Sequence, residues 1–270
     1  MTSTLSSTFL AVDGDGYELQ MGRWSRRLAP PFIAFTGIER GRRVLDVGCG
    51  TGSLSYCLAE NAEIESVHGL DFSPTYIEHA MHRRRDPRLT FQVGDARALQ
   101  FPDASYDHTL SMLTLQFIPQ AECAVREMRR VTRPGGTVAA ATWDTRGGFV
   151  ALRMVFDTAA MLDPCGHQRR ARAYTRRMSR PGELARAWRD AGLVNVVQDM
   201  LTIRMDFASF ADFWAPAEGK DGPIAEYVST LDVELKTKLR AMVELAYLDG
   251  ESDGERSYAA TAWVVKGITP

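Results

Sequence analysis

The chain has 270 residues, 45% hydrophobic and 24% charged, the composition of a soluble globular protein with one large α/β domain or two small ones. A net charge of −2 and a pI near 6.2 exclude an overall field that recruits nucleic acid or an anionic membrane. No apolar run reaches the ~18 residues that a bilayer demands, and the four cysteines (Cys49, Cys57, Cys123, Cys165) form no CxxC pair, which fits a reducing cytoplasmic setting without a metal site.

Residues 1–16 have no basic start followed by an apolar core, so they are not read as a signal peptide but as a frayed polar lead-in. The first strand is expected at 44–47, followed by a glycine turn and a helix over 54–60. A second strand at 67–70 ends at Asp71; Ser73-Pro74 then caps and opens a helix over 75–84. The third strand, 89–93, ends at Gly94-Asp95, and a turn-rich connector leads to a fourth at 108–113. A helix over 121–131 stops at Arg133-Pro134-Gly135-Gly136, and a fifth strand follows at 137–143. Such alternation predicts parallel strands joined by crossover helices. The second half is less regular, with helices over 148–161 and 180–193 and strands at 194–205 and 258–265. Between those strands, 206–254 reads as an inserted helical cap with helices at 207–214 and 231–247.

The strand-to-helix turn "VLDVGCGTG" places Gly48, Gly50 and Gly52 where a ligand can lie against bare backbone. A dinucleotide fingerprint, G-x-G-x-x-G, would require its third glycine at position 53, which is Ser53. Asp71, at the next strand end, can accept from both hydroxyls of a ribose or simply begin a turn. Asp95 ends the third strand, where its carboxylate can accept from an adenine amino group while the Ala96 amide addresses a ring nitrogen. In open parallel sheets these strand ends share one crevice.

The stretch from 44 to 143 resembles the class I S-adenosylmethionine-dependent methyltransferases, especially the small-molecule branch that includes the ubiquinone and menaquinone biosynthesis methyltransferases. The resemblance lies in "VLDVGCGTG", "GLDFSPTYIEHA", "VGDARALQFPDASYD" and "EMRRVTRPGG", in the family's order. It implies a doubly wound, mostly parallel seven-stranded α/β sheet with the last strand antiparallel. It also implies an N-terminal helical lid over 1–40, a cofactor-binding core over 41–145, and a variable half over 146–270 carrying the insert. The implied cofactor is S-adenosylmethionine. Asp46, Gly48, Cys49, Gly50 and Gly52 would line its methionine tail, with Leu113 at the end of the fourth strand also at the cofactor. Asp71 would hold the ribose, Phe72 pack on the adenine, and Gly94, Asp95 and Ala96 read its edge. In "GYELQMGRWSRRLAP", Tyr17 or Trp24 would cover the sulfonium and Arg23 pair with the cofactor carboxylate. The alternative for this segment is an amphipathic helix merely docked on the sheet.

Methyl transfer asks for alignment of nucleophile, methyl carbon and sulfur, and for a base only if the acceptor must lose a proton. Gln116, Asp144 and His167 are the catalytic candidates, set against a surface turn, a cap and an exposed loop respectively; His68 and His108 read as packing. The arginine-rich run 169–180 could meet an acidic acceptor or RNA, and the aromatics at 207–214 form either a substrate lid or the core of the cap. A small-molecule acceptor is expected, without membrane and without nucleic acid, and a homodimer is one open oligomeric state. A nicotinamide-dependent oxidoreductase and a non-catalytic S-adenosylmethionine-binding regulator are the competing readings.

Overall fold

Short apolar runs separated by longer amphipathic ones demand a sheet covered on both faces. The computed structural model has that form over the residues it describes, 7–9, 11–38, 42–60 and 64–270. Seven strands, β1 (Arg43–Val47), β2 (Ser66–Asp71), β3 (Leu89–Val93), β4 (Tyr106–Met112), β5 (Thr132–Trp143), β6 (Val194–Phe207) and β7 (Arg256–Ile268), lie in the order β3-β2-β1-β4-β5-β7-β6. β7 runs antiparallel to both of its neighbours and the remaining pairs are parallel, the expected sheet.

Side-chain alternation along β1 sorts the two cores. Leu45 and Val47 join α5 (Ala121–Val131) and α8 (Glu183–Asp190) on one face. Val44 points the other way, into a larger core with α2 (Arg23–Thr36), α3 (Ser53–Glu60) and α6 (Val150–Leu162). Every residue of β4 is buried, as a central parallel strand requires. α4 (Pro74–Arg83) starts where Ser73 accepts the Tyr76 amide and Pro74 occupies the first turn, where no amide partner is needed.

Between β6 and β7 sit α9 (Phe210–Trp214), α10 (Gly222–Val228) and α11 (Val233–Leu248), capped by Ser209 and Asp232 at the first and last. Two helices are absent from the sequence reading: α10, and α7 (Pro164–Tyr174), which Asp163 caps by accepting the Gly166 amide at 2.8 Å. At the N-terminus, α1 (Gly14–Tyr17) passes through a π-turn at Glu18–Gly22 into α2. The described part of the lead-in is docked rather than frayed. Asp221 accepts the Val12 and Asp13 amides at 2.9 and 3.1 Å and the Tyr76 hydroxyl at 2.9 Å, tying cap, N-terminal strap and α4 together.

Candidate functional site

The strand order reverses between β1 and β4, so their carboxyl ends open a crevice. Gly48, Gly50 and Gly52 all have positive φ there, +75°, +55° and +87°. Their bare Cα atoms have different causes. A Cβ on Gly48 would lie 2.1 Å from Thr114 Cγ2, because the Thr114 hydroxyl donates to the Gly48 carbonyl at 2.8 Å. A Cβ on Gly52 would meet the Tyr56 ring at 3.0 Å. Only at Gly50 is there room, with the Tyr17 ring 3.8 Å away as its nearest neighbour. The protein itself excludes side chains at two of the three positions, and a ligand's approach concerns the third.

The turn's amides are largely spent. Gly48 and Cys49 donate to the Leu70 carbonyl at 2.7 and 3.0 Å, and Gly52 donates to the Cys49 carbonyl at 2.9 Å. Gly50 donates to Asp71 Oδ2 at 2.9 Å. A pyrophosphate needs such amides free and a positive field; here the field is negative. Asp46 and Asp71 are 1% and 4% exposed. Burial, with the Asp71 charge adding to it, pushes the Asp46 carboxyl up to about 7. Burial lifts Asp71 to about 6 against the backbone amides of Ser73 and Gly50 that favour its charged form. The Cys49 thiol is pushed well up by burial and then by both carboxylates, and the Tyr17 hydroxyl rises to about 12 through burial, Glu18 and the same aspartates. Asp46 Oδ2 takes the Ser55 hydroxyl at 2.7 Å, while its Oδ1 and the Ser53 hydroxyl are buried with no partner among the described residues. An orphan carboxylate oxygen inside a negative crevice fits a ligand that brings cationic donors.

Beside the turn lies a cavity of about 90 Å³. Tyr17 and Leu113 form its wall toward the crevice, and Leu113 sits there at φ +64°, a conformation rare outside glycine that clusters at ligand sites. The N-terminal strap contributes Phe9, Gln20, Met21 and Trp24, β5 contributes Trp143, and the cap contributes Phe213 and Trp214. In this closed form it holds less than a benzene ring, for which an apolar cavity of ~150 Å³ suffices.

The sequence-selected residues divide accordingly. Tyr17, Asp46, Gly48, Cys49, Gly50, Gly52 and Asp71 converge on the crevice, and Trp24, Leu113 and Gln116 line the cavity. Gln116 Oε1 accepts the Trp143 amide at 3.1 Å rather than lying on a surface turn. Phe72 is partly exposed after β2, Gly94 donates its amide to the Asp71 carbonyl at 2.8 Å, and Ala96 is buried. Asp95 carries a salt bridge to Arg97 at 2.7 Å, so its carboxylate reaches any ligand only as one half of that pair. Arg23 is engaged elsewhere. It pairs with Asp212 at 3.0 Å and lies over the Trp24 ring at 4.2 Å, bracing α2 against the cap. Asp144 accepts the Arg146 and Gly147 amides in a turn, and His167 is exposed on α7; neither lines the cavity. Phe9 and Arg176 also line it; Phe9 has no local signal that marks it, and Arg176 is noted only as part of the arginine-rich run 169–180.

The fold and this crevice define a doubly wound α/β protein with a carboxylate-lined crevice at its switch point beside an apolar cavity. Residues 44–136 match the family described as methyltransferase domain. An uncharacterised protein of Mycobacterium tuberculosis is 34% identical over 54% of this chain and 54% of its own length, so the chain spans about half of that relative. The demethylmenaquinone methyltransferase of Geobacillus kaustophilus is 33% identical, with 59% of this chain covering 74% of it. Phosphoethanolamine N-methyltransferase 2 of Haemonchus contortus, solved in complex with S-adenosyl-L-methionine, shares the fold at a TM-score of 0.59 and 16% identity, over 95% of this chain and 56% of that one. The chain belongs to the S-adenosylmethionine-dependent methyltransferase family.

Proposed function

We propose that this protein transfers a methyl group from S-adenosylmethionine to a small, mainly apolar acceptor bound in the cavity beside the turn. The observation that carries the reading is a glycine turn with spent amides and two buried carboxylates, opening onto an apolar space. Bound there, S-adenosylmethionine supplies an electrophilic methyl group whose leaving thioether needs no acid.

The chain's own residues supply grip and geometry. Asp46 Oδ1, lacking a partner among the described residues, accepts from the cofactor's ammonium group. Asp71 retains lone pairs for the ribose hydroxyls after accepting the Gly50 and Ser73 amides. The Tyr17 ring, over Gly50, offers a π face to the sulfonium. The apolar lining keeps water from the reacting atoms. No histidine or carboxylate lines the cavity among the described residues, so the acceptor enters already nucleophilic, not deprotonated by the protein. Four unpaired cysteines support a cytosolic setting, and no described helix is long and apolar enough to cross a membrane.

The test is incubation with methyl-tritiated S-adenosylmethionine and a panel of small apolar acceptors. Label in an extractable product supports the proposal. S-adenosylmethionine binding with no transfer to any acceptor contradicts it and favours a binding-only role.

A further inference from the structure

The run 169–180 reads as a basic patch, yet its arginines have separate fates. Arg169 pairs with Glu226 at 2.6 Å, Arg170 approaches Asp157 at 3.6 Å, and Arg177 pairs with Glu122. Arg172 is exposed. Arg176 turns inward, where it lines the cavity and lies over the Phe117 ring at 4.4 Å. Its guanidinium makes no hydrogen bond or ion pair among the described residues, and no aspartate or glutamate lines the space it faces.

Resting on the methyltransferase reading for the cavity's role, we infer that Arg176 selects an apolar acceptor bearing a carboxylate, with the guanidinium taking the anionic head inside the cavity. A partly buried guanidinium without a counter-charge is costly, and an arriving carboxylate removes that cost through a charge-assisted pair. Desolvation, partly offset by Glu226 and reinforced by Arg172 and Arg169, draws the Arg176 guanidinium down to about 10. The group is therefore still charged at neutral pH and short of counter-charge. The Trp143 side chain also lines this space, and its indole Nε1–H is buried without an acceptor among the described residues, a second donor for an oxyanion. Phe117, Phe156 and Trp214 on the walls suit an apolar body.

The experiment is calorimetric titration of the full chain, saturated with S-adenosylhomocysteine, with octanoate and octanamide and with naphthoate and naphthamide. Wild type is expected to prefer each carboxylate over its amide by about tenfold or more, the strength of a charge-assisted bond. Arg176→Gln is expected to abolish that preference while leaving amide affinity and S-adenosylhomocysteine affinity unchanged; Arg176→Lys retains part of it. Equal binding of acid and amide by wild type overturns the inference without any variant. So does an Arg176→Gln protein that still prefers the acids, or one that loses acids and amides alike while binding S-adenosylhomocysteine normally. Failure of S-adenosylhomocysteine to bind wild type at all contradicts the methyltransferase reading instead, which keeps the two failures distinct.

Discussion

Asp46→Asn removes one of the two charges at the turn while keeping an acceptor for Ser55. Burial lifts the Asp46 carboxyl from 3.8 to about 7. The folded state then holds this proton more tightly than the unfolded chain, so the contribution of Asp46 to stability falls as pH rises from about 4 to about 7. Between about pH 5 and pH 8 the loss amounts to roughly two pKa units, or about 3 kcal/mol. Asparagine has no such slope. Its buried amide N–H, facing the position of the orphan Oδ1, costs about 1–3 kcal/mol at every pH. Urea unfolding across that pH range measures the difference, by linear extrapolation. Relative to wild type, the variant gains about 3 kcal/mol on going from about pH 5 to about pH 8. The slope left by Asp71, raised to about 6, stays in both proteins. The same substitution weakens S-adenosylmethionine binding, since the cofactor's ammonium loses its carboxylate partner. Two stability curves that run parallel across this range would show that burial does not raise the Asp46 carboxyl in the folded protein.

The glycines of the turn differ in their tolerance. Gly48→Ala, at φ +75° and 2.1 Å from Thr114, costs about 3 kcal/mol or more in urea unfolding. Gly50→Ala, with its nearest neighbour at 3.8 Å, costs about 1–2 kcal/mol but weakens cofactor binding; equal destabilisation by the two contradicts the packing account. Arg23→Ala loses the half-exposed pair with Asp212 and the contact with Trp24, about 1 kcal/mol of stability, and leaves S-adenosylhomocysteine affinity unchanged in calorimetry. A large loss of affinity would instead place Arg23 on the cofactor. Asp221→Ala removes the acceptor for Val12, Asp13 and Tyr76, so hydrogen exchange at the Val12 and Asp13 amides accelerates about tenfold or more, with a smaller change in global stability. Unchanged protection there would show that the strap is held by Phe9 and its ring contacts alone.

Features set by local chemistry were legible in the sequence. The five parallel strands announce themselves as apolar runs between turn signals, and Ser73-Pro74 marks the start of α4 by capping. The spacing of Gly48, Gly50 and Gly52 located the crevice. Other features rest on contacts between distant segments. That Thr114 excludes a side chain at Gly48 depends on β1 and β4 lying side by side at the switch point. Arg23 pairs with Asp212, 189 residues away, a contact that no local pattern announces. Phe9 sits in a segment without periodicity, yet packs on Tyr17, Tyr76 and Phe117 once the strap docks. Helix α7 is a different case, because its Asp163-Pro164 start was readable and the arginine-rich composition obscured it.

The central claim is that a cationic adenosyl ligand is gripped by the buried carboxylates of the turn. A crystal structure with S-adenosylhomocysteine tests it most directly. The account predicts the ribose hydroxyls on Asp71, the amino group on Asp46 Oδ1, and the sulfur facing Tyr17 and the apolar cavity. Electron density for the ligand at any other place, or none under conditions where calorimetry shows saturation, would contradict it.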